Sequence, residues 1–392
     1  MNLSYCYKEK SQQNQTSFYS QLTDASQFGK KIGMIREKLK VSAPGRICLL
    51  GEHQDYFGLS ILAGAIDLRL TITGRANNQD IIRLNLPDID DYQEFPLNTE
   101  LAYSQARDYL RSGLNIVYRL GYRFSQGWDG EITSTIPINS GTASSSAMVV
   151  AWVKFLLEAC GAPEATDIEK IAELAFEAEV AEFKEPGGKM DHYSSAFGGI
   201  IFISFSQPLR YELFKSPLGE FVIADSRQRK DTTGTLAFIK NNVLSGVQQI
   251  QKKWPEFNLH SPLTPETIEE INRLDKDPRR LLLGTLLTRD LTLEGRKLFQ
   301  NSPFDHQKFG QLLSEQHHIL REYHQISTPK IEAMLEAALE AGALGGKING
   351  SGGGGCMFVY CPGKGKEVVE ALKRLDTHPF IIRIDEGVKT EE

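Results

Sequence analysis

The chain has 392 residues, with 44 Lys and Arg against 50 Asp and Glu for a formal net charge of −6, and 41% hydrophobic content beside 24% charged. That is enough for two or three domains, while the absence of any basic block argues against a nucleic-acid surface and no run approaches the roughly 18 apolar residues of a membrane span. Five scattered cysteines, Cys6, Cys48, Cys160, Cys356 and Cys361, make neither a disulfide framework nor a C-x-x-C pair, and no basic n-region precedes an apolar run at the start, so a cytoplasmic setting is expected.

Residues 1–30 are rich in serine and glutamine and read as a polar tail, with a short amphipathic helix predicted from about Ser26 to Leu39. Ile47 to Leu50 then form an apolar strand. Gly51 permits a sharp exit that brings Glu52, His53 and Asp55 together at one edge, with Arg46 at the other end of the strand. Leu59 to Arg75 and Ile81 to Leu86 read as strands joined by a polar turn at Asn77-Asn78. Apolar positions recur at helical spacing from Leu101 to Leu120, and Gly130 to Thr135 alternates like a strand.

The stretch Pro137-Ile138-Asn139-Ser140-Gly141-Thr142-Ala143-Ser144-Ser145-Ser146-Ala147 runs into an apolar segment ending near Cys160. Ser144 to Ser146 offer a helix N-cap, and the helix beyond, with Val149, Val150, Trp152, Val153, Phe155 and Leu156, is expected to be buried almost all round. Its N-terminus presents unpaired N–H groups and no bulky side chain, which suits a phosphate; a capped core helix behind a serine-rich loop has the same composition.

Thr166-x-x-Glu169 reads as a capping box opening a helix to about Lys184, which Pro186-Gly187-Gly188 stops. Lys189-Met190-Asp191-His192 follows, then Phe197-Gly198-Gly199 and a buried strand from Ile200 to Phe205. Asp191, between a glycine turn and a core strand, is placed for a cleft. The second half begins with a strand near Glu220 to Asp225. Helices are predicted after Thr264-Pro265, from Phe309 to Tyr323, and from the cap Ser327-Thr328-Pro329 to Gly342. The glycine-rich run Gly345 to Gly355 precedes a strand at Cys356 to Tyr360, a helix from about Gly365 to Leu375 and a strand at Phe380 to Ile384. Gly350-x-Gly352-x-x-Gly355 matches the dinucleotide fingerprint formally, but that fingerprint needs a helix after it and here a strand follows. Glycines in series suit instead the close approach of a ligand or another loop.

Together, Pro44 to Tyr56, Pro137 to Ala147 and Gly345 to Gly355 resemble the three motifs of the GHMP kinases, the family of galactokinase, homoserine kinase, mevalonate kinase and phosphomevalonate kinase. The resemblance spans about Val41 to Ile384. It implies an α+β, two-domain fold: a ribosomal protein S5 domain 2-like N-terminal domain over residues 31–215 and a ferredoxin-like C-terminal domain over residues 216–392, with the active site between them.

Pro44-Gly45-Arg46-x-x-Leu49-x-Gly51-Glu52-His53-x-Asp55-Tyr56 resembles the galactokinase signature, which implies transfer of the γ-phosphoryl group of ATP to a sugar hydroxyl, in galactokinases the anomeric one. By the same resemblance, Asp191 is the catalytic aspartate and Arg46 its partner. Glu52, His53, Asp55 and Gly188 meet the sugar, and Ser140, Gly141, Thr142, Ala143, Ser144, Ser145, Ser146 and Ala147 hold ATP. Ser146 and Glu179 correspond to the Mg²⁺ ligands. Thr142 stands where leucine is usual, Lys189 where sugar kinases have an apolar residue, and Asp225 to Gly234 lacks the tyrosine that galactokinases carry there. Galactose or a related aldose is the implied acceptor. A heptose or mevalonate, or a silent sensor that binds sugar and ATP, are the alternatives, and no nucleic-acid or membrane partner is expected.

Overall fold

The computed structural model describes residues 36–137, 141–206, 208–228 and 231–391. The predicted polar tail and most of the helix expected from Ser26 to Leu39 lie outside the described residues, as does Ser140. Where that helix should end, Lys38 and Leu39 already run in a strand, because exposed Lys38 and Lys40 alternate with buried Leu39 and Val41.

Two sheets organise the chain. The strands in order are β1 (Lys38–Leu50), β2 (Ile61–Asn77), β3 (Ile81–Leu86), β4 (Asp91–Pro96), β5 (Gly127–Ser134), β6 (Ile200–Ser204), β7 (Arg210–Phe214), β8 (Phe221–Asp225), β9 (Gly345–Ile348), β10 (Cys356–Tyr360), β11 (His378–Ile382) and β12 (Lys389–Glu391). The first sheet has eight strands in the order β12-β1-β2-β5-β3-β4, with β6 branching from β2 and carrying β7. This branching is possible because β2 is long: Leu70 to Asn77 pair with β5, and Ile61 to Gly64 pair with β6. The second sheet has four strands, β11-β8-β10-β9.

Helices α1 (Tyr109–Arg119), α2 (Ser144–Ala159), α3 (Ile168–Phe176) and α4 (Met190–Phe197) accompany the first sheet. As predicted, α2 is buried nearly all round, with Val149, Val150, Trp152, Val153, Phe155 and Leu156 all fully enclosed. Gly113 of α1 leaves room for the Trp152 indole, whose Nε1 donates to Leu110 O at 2.9 Å. Helices α5 (Thr232–Gln251), α6 (Pro265–Asn272), α7 (Lys276–Gln300), α8 (His306–Ile319), α9 (Pro329–Glu340) and α10 (Gly365–Lys373) belong to the second half. A shared core joins the sheets: Ile47, Leu50 and Leu62 of the first pack with Phe221, Phe358 and Phe309. The fold is therefore α+β, and no helix among the described residues is long and apolar enough to cross a membrane.

Three local readings are corrected. The helix predicted from Leu101 starts only at Tyr109, because the Asp108 carboxylate accepts from Ser104 N and Oγ and fixes a turn before it. The helix after Thr166 is capped by Asp167, whose side chain accepts from Lys170 N at 3.0 Å, rather than by a Thr166–Glu169 box. That helix also widens into a π-turn at Glu177–Ala181 instead of running regularly to Lys184.

Candidate active site

One cavity of about 530 Å³ opens between the end of β1, the start of α2, the turn before α4 and the start of α5. Arg46, Asp55, Ser146, Glu179 and Asp191 all line it. Arg46 and Asp191, 145 positions apart, thus share one space, as the motif reading requires.

Asp191 sits in the first turn of α4. Its Oδ1 receives Arg46 Nε and Nη2, each at 2.7 Å. Arg46 is almost wholly buried, which alone would disfavour its charge; the neighbouring Asp191 and Glu52 outweigh burial and raise its pKa further, so it stays cationic. Its Nη1 donates to Gly141 O at 2.5 Å, and its backbone N to Thr142 O at 3.0 Å.

Asp55 lies in the short 3₁₀ turn Asp55–Phe57 and faces the same end of the cavity. It accepts from Tyr56 N at 3.0 Å and Met190 N at 3.3 Å. Burial first, and then the negative charge of Asp191, push its carboxyl up from 3.8 to about 6. Gly188 lies against it, for a Cβ there would fall 2.1 Å from Asp55 Oδ2. His53 adopts a left-handed backbone, φ 61°, and its Nδ1 lies 2.8 Å from Tyr56 Oη. Its ring stacks on His324 with centroids 5.8 Å apart. Burial and then the Lys347 charge lower the His53 pKa to about 4, so the ring is neutral near pH 7. Glu52 also borders the cavity, yet both its oxygens are engaged: Oε2 accepts from Lys347 Nζ at 2.6 Å and Oε1 from Gly350 N at 3.1 Å.

The loop into α2 differs from the predicted serine cap. No side chain caps the helix, and Ala143 holds the N-cap position in a left-handed conformation, φ 59°. Gly141, Ala143, Ser144, Ser145 and Ser146 face the cavity. Thr142 and Ala147 are buried and lie outside its lining, Thr142 O being occupied by Arg46 N and Ala147 N by Ala143 O. The hydroxyls released from capping turn elsewhere. Burial disfavours the Glu179 carboxylate, but hydrogen bonds from His192, Ser145 and Ser146 overcome this and hold its pKa below the ordinary glutamate value. The His192 contact is 2.7 Å.

Two parts of the site went unread in the sequence. Leu70, Leu86 and Ile132, from β2, β3 and β5, and Met148 of α2 give the cavity an apolar slot; the alternation of those strands shows only that one face is inside. Thr232, Thr233 and Leu236, at the start of α5, also line the cavity, in and just after the segment that lacks the tyrosine, and Tyr56 contributes an aromatic ring from the first motif. Lys189 does not line the cavity; its Nζ lies 5.3 Å from the Phe176 ring centroid.

Three family models match the chain. The GHMP kinases N terminal domain matches residues 106–199, the GHMP kinases C terminal domain residues 296–376, and the galactokinase galactose-binding signature residues 26–76. The chain belongs to the GHMP kinases. As a GHMP kinase it is a phosphotransferase that acts on an alcohol group. The mevalonate kinase of Pyrococcus furiosus is 27% identical, covering 91% of this chain and 99% of the relative. The galactokinase of Thermococcus kodakarensis is also 27% identical, covering 89% and 99%. This GHMP kinase shares its fold with the Lactococcus lactis galactokinase complexed with galactose, TM-score 0.76 at 19% identity over 97% of this chain and 99% of that one. The Methanococcus jannaschii mevalonate kinase aligns at TM-score 0.67 and 21% identity, over 88% and 98%. Relatives named for two acceptors stand at equal identity, so the acceptor has to be argued from the cavity.

Proposed function

We propose that this GHMP kinase is an ATP-dependent sugar kinase that moves the γ-phosphoryl group onto a hydroxyl of a monosaccharide, the anomeric one of galactose or a related aldose. The observation that carries the reading is the charge of the acceptor end. Asp55 and Asp191 face it together, and the lysine and arginine side chains lining the cavity among the described residues, Arg46 and Arg107, are each already paired, with Asp191 and Glu185. Lys347, buried behind, is taken by Glu52. Carboxylates that accept hydrogen bonds suit a neutral polyol, whereas the carboxylate of mevalonate would find no unpaired cation among the described residues that line the cavity.

In this reading Asp191 orients the hydroxyl and takes its proton as the oxygen–phosphorus bond forms and the bond to the ADP oxygen breaks. Arg46 holds Asp191 directed, and supplies positive charge beside the transferring group. His53, Asp55 and the Gly188 turn shape the sugar side. Gly141 and Ala143 to Ser146 would cradle the phosphates with backbone N–H groups, and the apolar slot would receive the base. Ser146 and Glu179 fit Mg²⁺, because both offer oxygen and Glu179 is kept charged despite burial; they would hold an ion whose charge would neutralise that of the phosphates. The nucleotide and sugar motifs fall within residues 31–215, and residues 216–392 add Thr232, Thr233, Leu236, Gly350 and Ser351 to the cavity lining.

Measuring ADP release with a panel of aldoses, heptoses and mevalonate tests this directly. Turnover with an aldose supports the reading. Turnover with mevalonate and no sugar overturns it.

A further inference from the structure

Among the described residues, the segment of β1 that enters the site has a strand neighbour on only one side. β2 pairs along it, but β12 covers the opposite edge at Lys40 to Ser42 alone, leaving the backbone from Arg46 to Gly51 in need of other partners. Those partners come from the rest of the site. Arg46 N donates to Thr142 O, Cys48 N to Asn349 Oδ1 at 3.1 Å, and Gly51 N to Gln316 Oε1 at 3.2 Å. Cys48 O accepts from Lys347 Nζ at 2.9 Å.

Asn349 does more than fill an edge. Its Nδ2 donates to Gly141 O at 2.8 Å, the same carbonyl that receives Arg46 Nη1 at 2.5 Å. One fully buried amide therefore links the sugar-motif strand, the glycine turn and the phosphate loop, and it does so without lining the cavity. Only an amide offers an acceptor and a donor in this planar arrangement from one short side chain. We propose that Asn349 is a positioning residue for phosphoryl transfer: by fixing the Gly141 carbonyl it sets the entry to the phosphate loop and the guanidinium that aims Asp191. This rests on the sugar-kinase reading, taking Arg46 and Asp191 as the reacting pair.

Asn349→Asp tests this, because it keeps the acceptor for Cys48 N, removes the donor to Gly141 and sets an anion beside Arg46. For the folded fraction measured by circular dichroism, kcat is expected to fall about a hundredfold, the scale of a small misplacement at the reacting centre. KM for the sugar should change by less than about threefold. A double-mutant cycle with Arg46→Lys separates positioning from mere stability: the two substitutions together should lose clearly less than the product of their separate losses. Multiplicative losses, or an unchanged kcat in Asn349→Asp, overturn the proposal. If Asn349→Asp does not fold, Asn349→Ser takes its place in the same cycle: sub-multiplicative losses support the proposal and multiplicative losses overturn it. Should the wild-type protein phosphorylate no sugar, the sugar-kinase reading fails by itself. Calorimetric affinity for ATP with Mg²⁺ then decides for Asn349, weakening by about tenfold if the proposal holds and staying unchanged if it does not.

Discussion

Two guanidinium nitrogens converge on one oxygen of Asp191, which keeps that carboxylate pointed while leaving its other oxygen for a hydroxyl. Asp191→Asn should therefore lower kcat about 10²–10⁴-fold with little change in ATP affinity, as read by steady-state kinetics and calorimetry. Asp55 is a different case. Its carboxyl is raised to about 6 in the folded chain, so the folded state holds a proton that the unfolded chain releases. Its contribution to stability is complete below the ordinary value of 3.8 and is lost as pH rises through about 6. As a sugar ligand, Asp55 has to be ionised: kcat/KM for the sugar should fall roughly tenfold per pH unit below about pH 6. Asp55→Asn should abolish that limb, and a pH–rate profile of the variant checks it. At this scale the sequence was legible where chemistry needs a rare type at a turn, as at Arg46 and Asp191. It was not legible for Glu52, because nothing in Gly51-Glu52-His53 reveals that Lys347, 295 positions away, occupies one of its oxygens.

The element that departs most from its prediction is the start of α2. Three serines invited a cap, yet the hydrogen bonds that shape Glu179 use Ser145 and Ser146, and the turn is made by Ala143 at φ 59°. A left-handed alanine costs about 1–2 kcal/mol, so Ala143→Gly should add up to about 1 kcal/mol of stability in urea unfolding. Gly188→Ala should act on binding instead, since its new methyl meets the Asp55 carboxylate; KM for the sugar is expected to rise at least about tenfold while α2 and the phosphate loop are untouched. Periodicity located α2, the strands around it and α9 with its Thr328 cap, because burial on one face leaves a mark in the residue order. It failed at Leu101 to Asp108 and at the Glu177–Ala181 π-turn, where side-chain hydrogen bonds and local helix widening leave no periodic trace.

Across the whole molecule, the Glu52–Lys347 ion pair is buried between the two sheets, with side-chain exposures of 3% and 0%. Removing one partner strands the other's charge, so Lys347→Met should cost about 3–5 kcal/mol in urea unfolding, part of which Glu52→Gln should return. Spacing of the three motifs foretold that distant segments meet; sheet order, with β6 branching from β2, depended on long-range pairing that no local pattern records. The strand β12 adds a temporal constraint. Lys389 to Glu391 pair with Ser42 to Lys40, and Arg69 reaches Asp385, Glu386 O and Gly387 O just before them. Because these residues leave the ribosome after every strand of the second sheet, the rim of the first sheet stays bare throughout most of translation. The nascent chain must keep that rim from neighbouring chains until its own downstream residues emerge to cover it.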